Sequence, residues 1–139
     1  MLFARRRPSL RRLLIVEDEP LVAFDNEHLL GESGYEVVAT VDRYDDAVAA
    51  IQRGGIDLVL ADVRLPGQRD GIDVARAAAE AGLPVLFVTG ACPTEAQGVA
   101  VGCLAKPYTQ KQLLSAISAI ERKVGGRAPK PVTGLTLFG

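Results

Sequence analysis

Ile56-Asp57-Leu58-Val59-Leu60-Ala61-Asp62 decides the fold: a short, almost continuous apolar run ending abruptly on an acid. Runs of branched aliphatic residues without polar alternation mark strands covered on both faces, the pattern of a parallel sheet. Three more runs in the chain end the same way. Leu13-Leu14-Ile15-Val16 closes on Glu17-Asp18, Val85-Leu86-Phe87-Val88 on Thr89, and Val101-Gly102-Cys103-Leu104-Ala105 on Lys106. Aligned side by side, four such strands gather their terminal polar residues in one crevice, the place where open α/β sheets bind ligands.

Helical patterns separate the runs. Pro20 suits a first helical turn, and Leu21, Val22, Phe24, His28, Leu29 and Leu30 supply an apolar stripe that stops at Gly34. Tyr35 to Val41 reads as a second strand. A helix from about Asp42 to Arg53 follows, with Ala47, Val48 and Ile51 inward and Gly54-Gly55 at its end. A third helix spans roughly Ile72 to Ala81, and a last one about Thr109 to Val124 carries Leu113, Leu114, Ile117 and Ile120 at helical spacing. This alternation argues for a doubly wound, five-stranded parallel sheet with helices on both faces. One connection is too short: Thr89 to Lys106 lacks room for loop, helix, loop and strand, so the fourth helix is expected to be short or absent.

The 139 residues fit one domain, 48% hydrophobic and 24% charged. No apolar stretch approaches the roughly 18 residues of a membrane span, and no apolar signal core follows Arg5-Arg6-Arg7, which leads us to expect a cytoplasmic protein. Charge is uneven. Residues 1–12 carry five arginines and no acid and are expected to form a basic arm; 13–124 hold nine basic against seventeen acidic residues, which disfavours nucleic acid as a partner of the body. Residues 125–139 read as a Pro/Gly linker with an apolar end that either docks or stays free. Cys92 and Cys103 are too few for a disulfide framework and lack a metal-site spacing, and His28 reads as a structural or surface residue.

Three carboxylates in one crevice repel, each pair by on the order of 4 kcal/mol at 4 Å and an effective dielectric near 20. A cation therefore belongs among Glu17, Asp18 and Asp62, and an all-oxygen donor set suits magnesium. Lys106 adds a fixed positive charge and Thr89 a hydroxyl. Together they could stabilise a phosphoryl group in transit to an Asp62 oxygen.

Leu14-Ile15-Val16-Glu17-Asp18-Glu19-Pro20, Leu60-Ala61-Asp62-Val63-Arg64-Leu65-Pro66-Gly67, Val88-Thr89-Gly90 and Ala105-Lys106-Pro107-Tyr108, in this order at strand ends, resemble a bacterial response-regulator receiver domain over about residues 11–123. The resemblance implies a flavodoxin-like strand order 2-1-3-4-5 and a receiver domain over 13–124. It makes Asp62 the phosphoacceptor, Asp18 the main Mg2+ ligand with Glu17 assisting through water, and the Arg64 carbonyl a further ligand. Thr89 becomes the switch hydroxyl and Lys106 the phosphate-pairing cation, with a cis Lys106-Pro107 bond. The phosphodonor is then a histidine kinase or histidine phosphotransfer protein, the downstream protein is unknown, and the chain is a stand-alone signalling module that performs at most its own phosphorylation and dephosphorylation.

Where many receivers carry an aromatic switch residue, three positions before the lysine, this chain has Cys103. Pro84 to Ala91 instead resembles the subgroup with a Phe-Ala-Thr-Gly type motif and a reduced fourth helix. Phosphorylation is accordingly expected to reshape Gly90 to Gly102 and the face of the last helix. Two other readings compete. An aspartyl-phosphate phosphohydrolase usually has a second acid two residues after the nucleophile, and Arg64 stands there; a degenerate scaffold without phosphorylation would have no need of the full set of site residues.

Overall fold

The computed structural model describes residues 9–94 and 98–139. In chain order the elements are β1 (Arg12–Val16), α1 (Pro20–Glu32), β2 (Glu36–Val41), α2 (Tyr44–Arg53), β3 (Leu58–Ala61), α3 (Gly71–Glu80), β4 (Val85–Thr89), β5 (Gly102–Ala105), α4 (Gln110–Val124) and β6 (Leu135–Leu137). The sheet runs β2-β1-β3-β4-β5-β6. Its first five strands are parallel, in the expected order 2-1-3-4-5. The expected strand count is corrected by one: β6 adds antiparallel to β5, pairing Leu135 with Leu104 and Leu137 with Gly102.

Residues of the central strands alternate between two cores, as the two-residue period of a strand requires. Leu14, Val16, Val59, Ala61, Val85 and Phe87 face α2 and α3, meeting Ala47, Ile51, Val74 and Ala78. Leu13, Ile15, Leu58, Leu60, Leu86 and Val88 face the other way, packing with Leu30 of α1 and Leu113, Ile117 and Ile120 of α4. With both faces covered, the strands need no polar positions, which is why their sequence shows no alternation.

The expected stripe of α1 is displaced. Ala23, Asn26 and Leu30 are its buried residues, whereas Leu21 and Phe24 are exposed by 79% and 67%. Small Ala23 and Asn26 let the helix lie close to the sheet, so the larger apolar residues fall on its outer side; Phe24 stacks on His28 instead. No α-helix links β4 to β5 among the described residues, in line with the short connection. On that side of β5, Ala100 and Phe138 join the core beside Phe87 and Cys103.

The segment that precedes β1 packs on the body. Arg12 already belongs to β1 and Leu10 is buried, so Ser9 to Arg12 are part of the body, and only residues 1–8 of the arginine arm lie outside the described residues. Glu121 holds this segment through the Ser9 amide (2.7 Å) and hydroxyl (3.1 Å), and it also accepts the Tyr35 hydroxyl at 2.9 Å. The apolar tail docks. Phe138 is buried, and its amide donates to the Val101 carbonyl at 2.9 Å. The two cysteines, set aside as too few for a framework, are bonded to each other.

Candidate functional site

Ladder hydrogen bonds deliver the polar residues to one edge of the sheet. The amide of Asp62 donates to the Val16 carbonyl and that of Glu17 to the Val41 carbonyl, each at 2.9 Å, so both acids leave their strands at the same level. On the other side the Lys106 amide donates to the Thr89 carbonyl at 2.8 Å. Asp18, Asp62, Arg64, Thr89 and Lys106 line one cleft of about 520 Å³, together with Glu19, Val63, Gly90 and Ala91.

The charges inside it are arranged around one ammonium. Lys106 Nζ lies 2.9 Å from Asp62 Oδ2, 2.9 Å from Glu17 Oε1 and 3.5 Å from Glu19 Oε1. Asp62, Glu17 and Thr89 are buried; Asp18 is exposed at the mouth. Glu17, Asp18 and Asp62 each offer an oxygen within 4.8 Å of the others, a spacing that could hold a metal ion. The three candidate ligands there are all carboxylates, a donor set that suits a hard cation. The Arg64 amide donates to Asp62 Oδ1 at 3.1 Å, which orients the carboxylate.

Burial raises the pKa of Glu17 above the ordinary carboxylate value, more strongly than its bonds to Lys106 and the Glu19 amide lower it. Burial works on Lys106 in the opposite sense, toward the neutral amine. Its hydrogen bonds to Asp62 and Glu17, and their charges, outweigh that and hold the ammonium pKa above its ordinary value. The lysine is thus charged throughout the neutral range.

All six residues singled out from sequence meet at this edge: Glu17, Asp18, Asp62, Arg64, Thr89 and Lys106. The Lys106-Pro107 peptide is cis, as the resemblance implied. Three further residues shape the site, and the sequence reading assigned no role in it to Glu19 or Gly71. Glu19 reaches Lys106 from the first turn after the acidic pair. Tyr108 accepts a bond from buried Asn26 at 2.9 Å, tying the segment after Lys106 to α1. Gly71 is the least conspicuous: a Cβ there would lie 1.9 Å from the Asp62 carbonyl oxygen and 2.7 Å from Val63 Cα. Asp70, which caps α3 in a reciprocal box with Asp73, brings the helix start down onto the Asp62 backbone. The Asp70-Gly71 pair after a loop was the available signal, readable as a cap but silent about what the glycine touches.

This sheet order, with an acid-lined cleft at the carboxyl ends of its strands, is that of a flavodoxin-like receiver. A family model of the response regulator receiver domain matches residues 13–118. The chain is 38% identical over 113 residues to the transcriptional regulatory protein DltR of Streptococcus agalactiae, an alignment covering 76% of this chain and 50% of that protein. It is 34% identical to the transcriptional regulatory protein PdtaR of Mycobacterium tuberculosis, over 77% of this chain and 55% of that one. Among solved structures, the signal receiver domain of a modulated diguanylate cyclase from Desulfovibrio desulfuricans superimposes with a TM-score of 0.74 at 33% identity, covering 83% of this chain and 96% of that one. The chain belongs to the response-regulator receiver family of two-component signalling. It spans about half the length of the curated relatives it matches.

Proposed function

We propose that Asp62 accepts a phosphoryl group from the phosphohistidine of a histidine kinase or histidine phosphotransfer protein, with magnesium held at the acidic cluster, and that the phosphorylated form signals by binding another protein. One observation carries this reading: a single ammonium, Lys106, bridges Asp62 and Glu17 at 2.9 Å each, at a strand-end cleft where three carboxylates converge.

An Asp62 oxygen forms the new bond to phosphorus as the bond from phosphorus to the donor's imidazole nitrogen breaks, and the imidazole departs with that electron pair. Such transfer is mostly positioning and charge neutralisation. Glu17, Asp18 and Asp62 would hold the magnesium ion, with the Arg64 carbonyl as the further ligand implied by resemblance. When bound, the ion supplies positive charge to the phosphoryl oxygens. Lys106, already poised on Asp62, supplies a second positive charge by turning from the carboxylate to a phosphoryl oxygen. Thr89, on the neighbouring strand end, offers its hydroxyl to another. Because the Lys106 amide bonds the Thr89 carbonyl, movement of either residue is felt by the other and by the segment that follows β4. The acidic body, with nine basic against seventeen acidic residues over 13–124, supports a protein rather than a nucleic acid as its target.

The test uses acetyl phosphate with magnesium and phosphate-affinity electrophoresis. Wild type shifts, and the shift disappears in Asp62→Asn and on chelation; Asp18→Asn needs far more magnesium for the same shift. A wild-type chain that never shifts is an unphosphorylated scaffold. Continuous release of phosphate from phosphorylated metabolites would make it a phosphohydrolase, against which Arg64, standing two residues after Asp62, already argues.

A further inference from the structure

The function proposed above makes no use of the chain's two cysteines. They are bonded to each other across 11 residues of sequence, with Cα atoms 6.0 Å apart. Cys103 lies in the middle of the sheet, fully buried, opposite Phe87 on β4 and Thr136 on β6. Cys92 is exposed and immediately follows Gly90 and Ala91, which line the cleft. One covalent bond therefore joins the rim of the cleft to the strand that carries Lys106 three residues later. With no α-helix between β4 and β5 among the described residues, that bond is a covalent tether of the rim to the sheet.

We propose that Cys92–Cys103 is a reversible dithiol–disulfide site, exchanged by a protein dithiol, whose oxidised form locks the rim of the cleft and whose reduced form frees it to follow phosphorylation. What the freed rim does rests on the phosphoacceptor reading; the lock does not. The difference in exposure sets the chemistry. A thiolate of the reductant attacks the Cys92 sulfur, the sulfur–sulfur bond breaks, and Cys103 leaves as a thiolate that takes a proton. The second thiolate of the same reductant attacks its partner sulfur in the mixed disulfide and expels Cys92 as a thiolate, which takes up a proton. Two electrons have passed to the protein, and the reductant departs as its own disulfide. The disulfide form of the same class of dithiol runs the sequence backwards.

Full-length protein is equilibrated with dithiothreitol or with its oxidised form, checked by intact mass, and followed by hydrogen exchange at Gly90 to Thr94, each with and without magnesium and beryllofluoride as phosphoryl mimic. The oxidised chain is expected to be lighter by two hydrogens and to exchange this segment more slowly by about tenfold or more, since the crosslink removes open conformations. The beryllofluoride response is confined to the reduced chain. Cys92→Ser, an exposed substitution, exchanges like the reduced chain in both buffers. Retention of two free thiols under oxidising conditions, or equal exchange in the two states, overturns the lock; equal beryllofluoride responses overturn the gating. A difference between oxidised and reduced chains with no beryllofluoride response in either keeps the lock and removes the phosphoacceptor reading instead.

Discussion

Lys106 shows how one side chain organises the site. Two buried carboxylates, Glu17 and Asp62, share its ammonium, and neither has another cation within ion-pairing distance among the described residues. A buried charge whose partner is removed costs several kcal/mol because it is left desolvated and uncompensated. Lys106 is itself 20% exposed, so water screens part of the pair. Lys106→Met is therefore expected to cost about 2–3 kcal/mol in urea unfolding at neutral pH. Because the raised pKa of Lys106 lies above its unfolded value of 10.5, this contribution is present below that pH and lost as pH rises through the folded value. The deficit of the variant should be level across the neutral range; one that vanished there would contradict the pairing.

At the scale of elements, two glycines matter because backbone passes where a methyl would stand. Gly71, first residue of α3, rests on the Asp62 carbonyl, so a methyl must push the helix start and the acceptor strand end apart. Gly71→Ala is expected to lower stability by about 2–4 kcal/mol through overpacking and to reduce phosphoryl uptake although every site side chain is intact. Unchanged melting and uptake would show that the two elements are not in contact as described. Gly102 on β5 faces β6: a Cβ there would lie 2.9 Å from the Thr136 carbonyl oxygen. Gly102→Ala should detach the tail, read as faster hydrogen exchange at Leu135 to Phe138, and its stability cost should shrink once Phe138→Ser has already undocked the segment. Equal costs in both backgrounds would mean that the glycine serves something other than β6.

At the scale of the whole molecule, one acid links three segments that are far apart in the sequence. Glu121 on α4 accepts from Ser9 and from Tyr35, linking the start of β1, the turn before β2 and the last helix. Burial, with the charge and hydrogen bond of Glu121, raises the Tyr35 pKa above its ordinary 10.0. The protonated phenol is therefore favoured by folding: its contribution is complete below pH 10.0 and is lost as pH rises toward the folded value. Tyr35→Phe is expected to cost about 1–2 kcal/mol at neutral pH. The variant should also lose less stability than wild type on titration above pH 10.0, followed by thermal melts in alkaline buffers. Parallel alkaline losses would separate Tyr35 from the linkage.

What was legible in the sequence was whatever depends on local pattern. The apolar run ending at Asp62 reads as a buried parallel strand because a strand covered on both faces tolerates no polar position. Glu17, Asp18, Thr89 and Lys106 were found because each stands at the end of such a run, and parallel strands put their carboxyl ends on one edge. The short span from Thr89 to Lys106 announced by length alone that the fourth helix would be short or absent, and no α-helix stands there among the described residues. Only the tertiary structure decided matters that depend on distant segments meeting. The stripe of α1 was misplaced because Ala23 and Asn26 look unremarkable until the sheet lies against them. Gly71 was silent because its meaning is the Asp62 backbone above it. Cys92 and Cys103 joined, and residues 135–137 became a sixth strand, through proximity and an open sheet edge, which periodicity cannot encode.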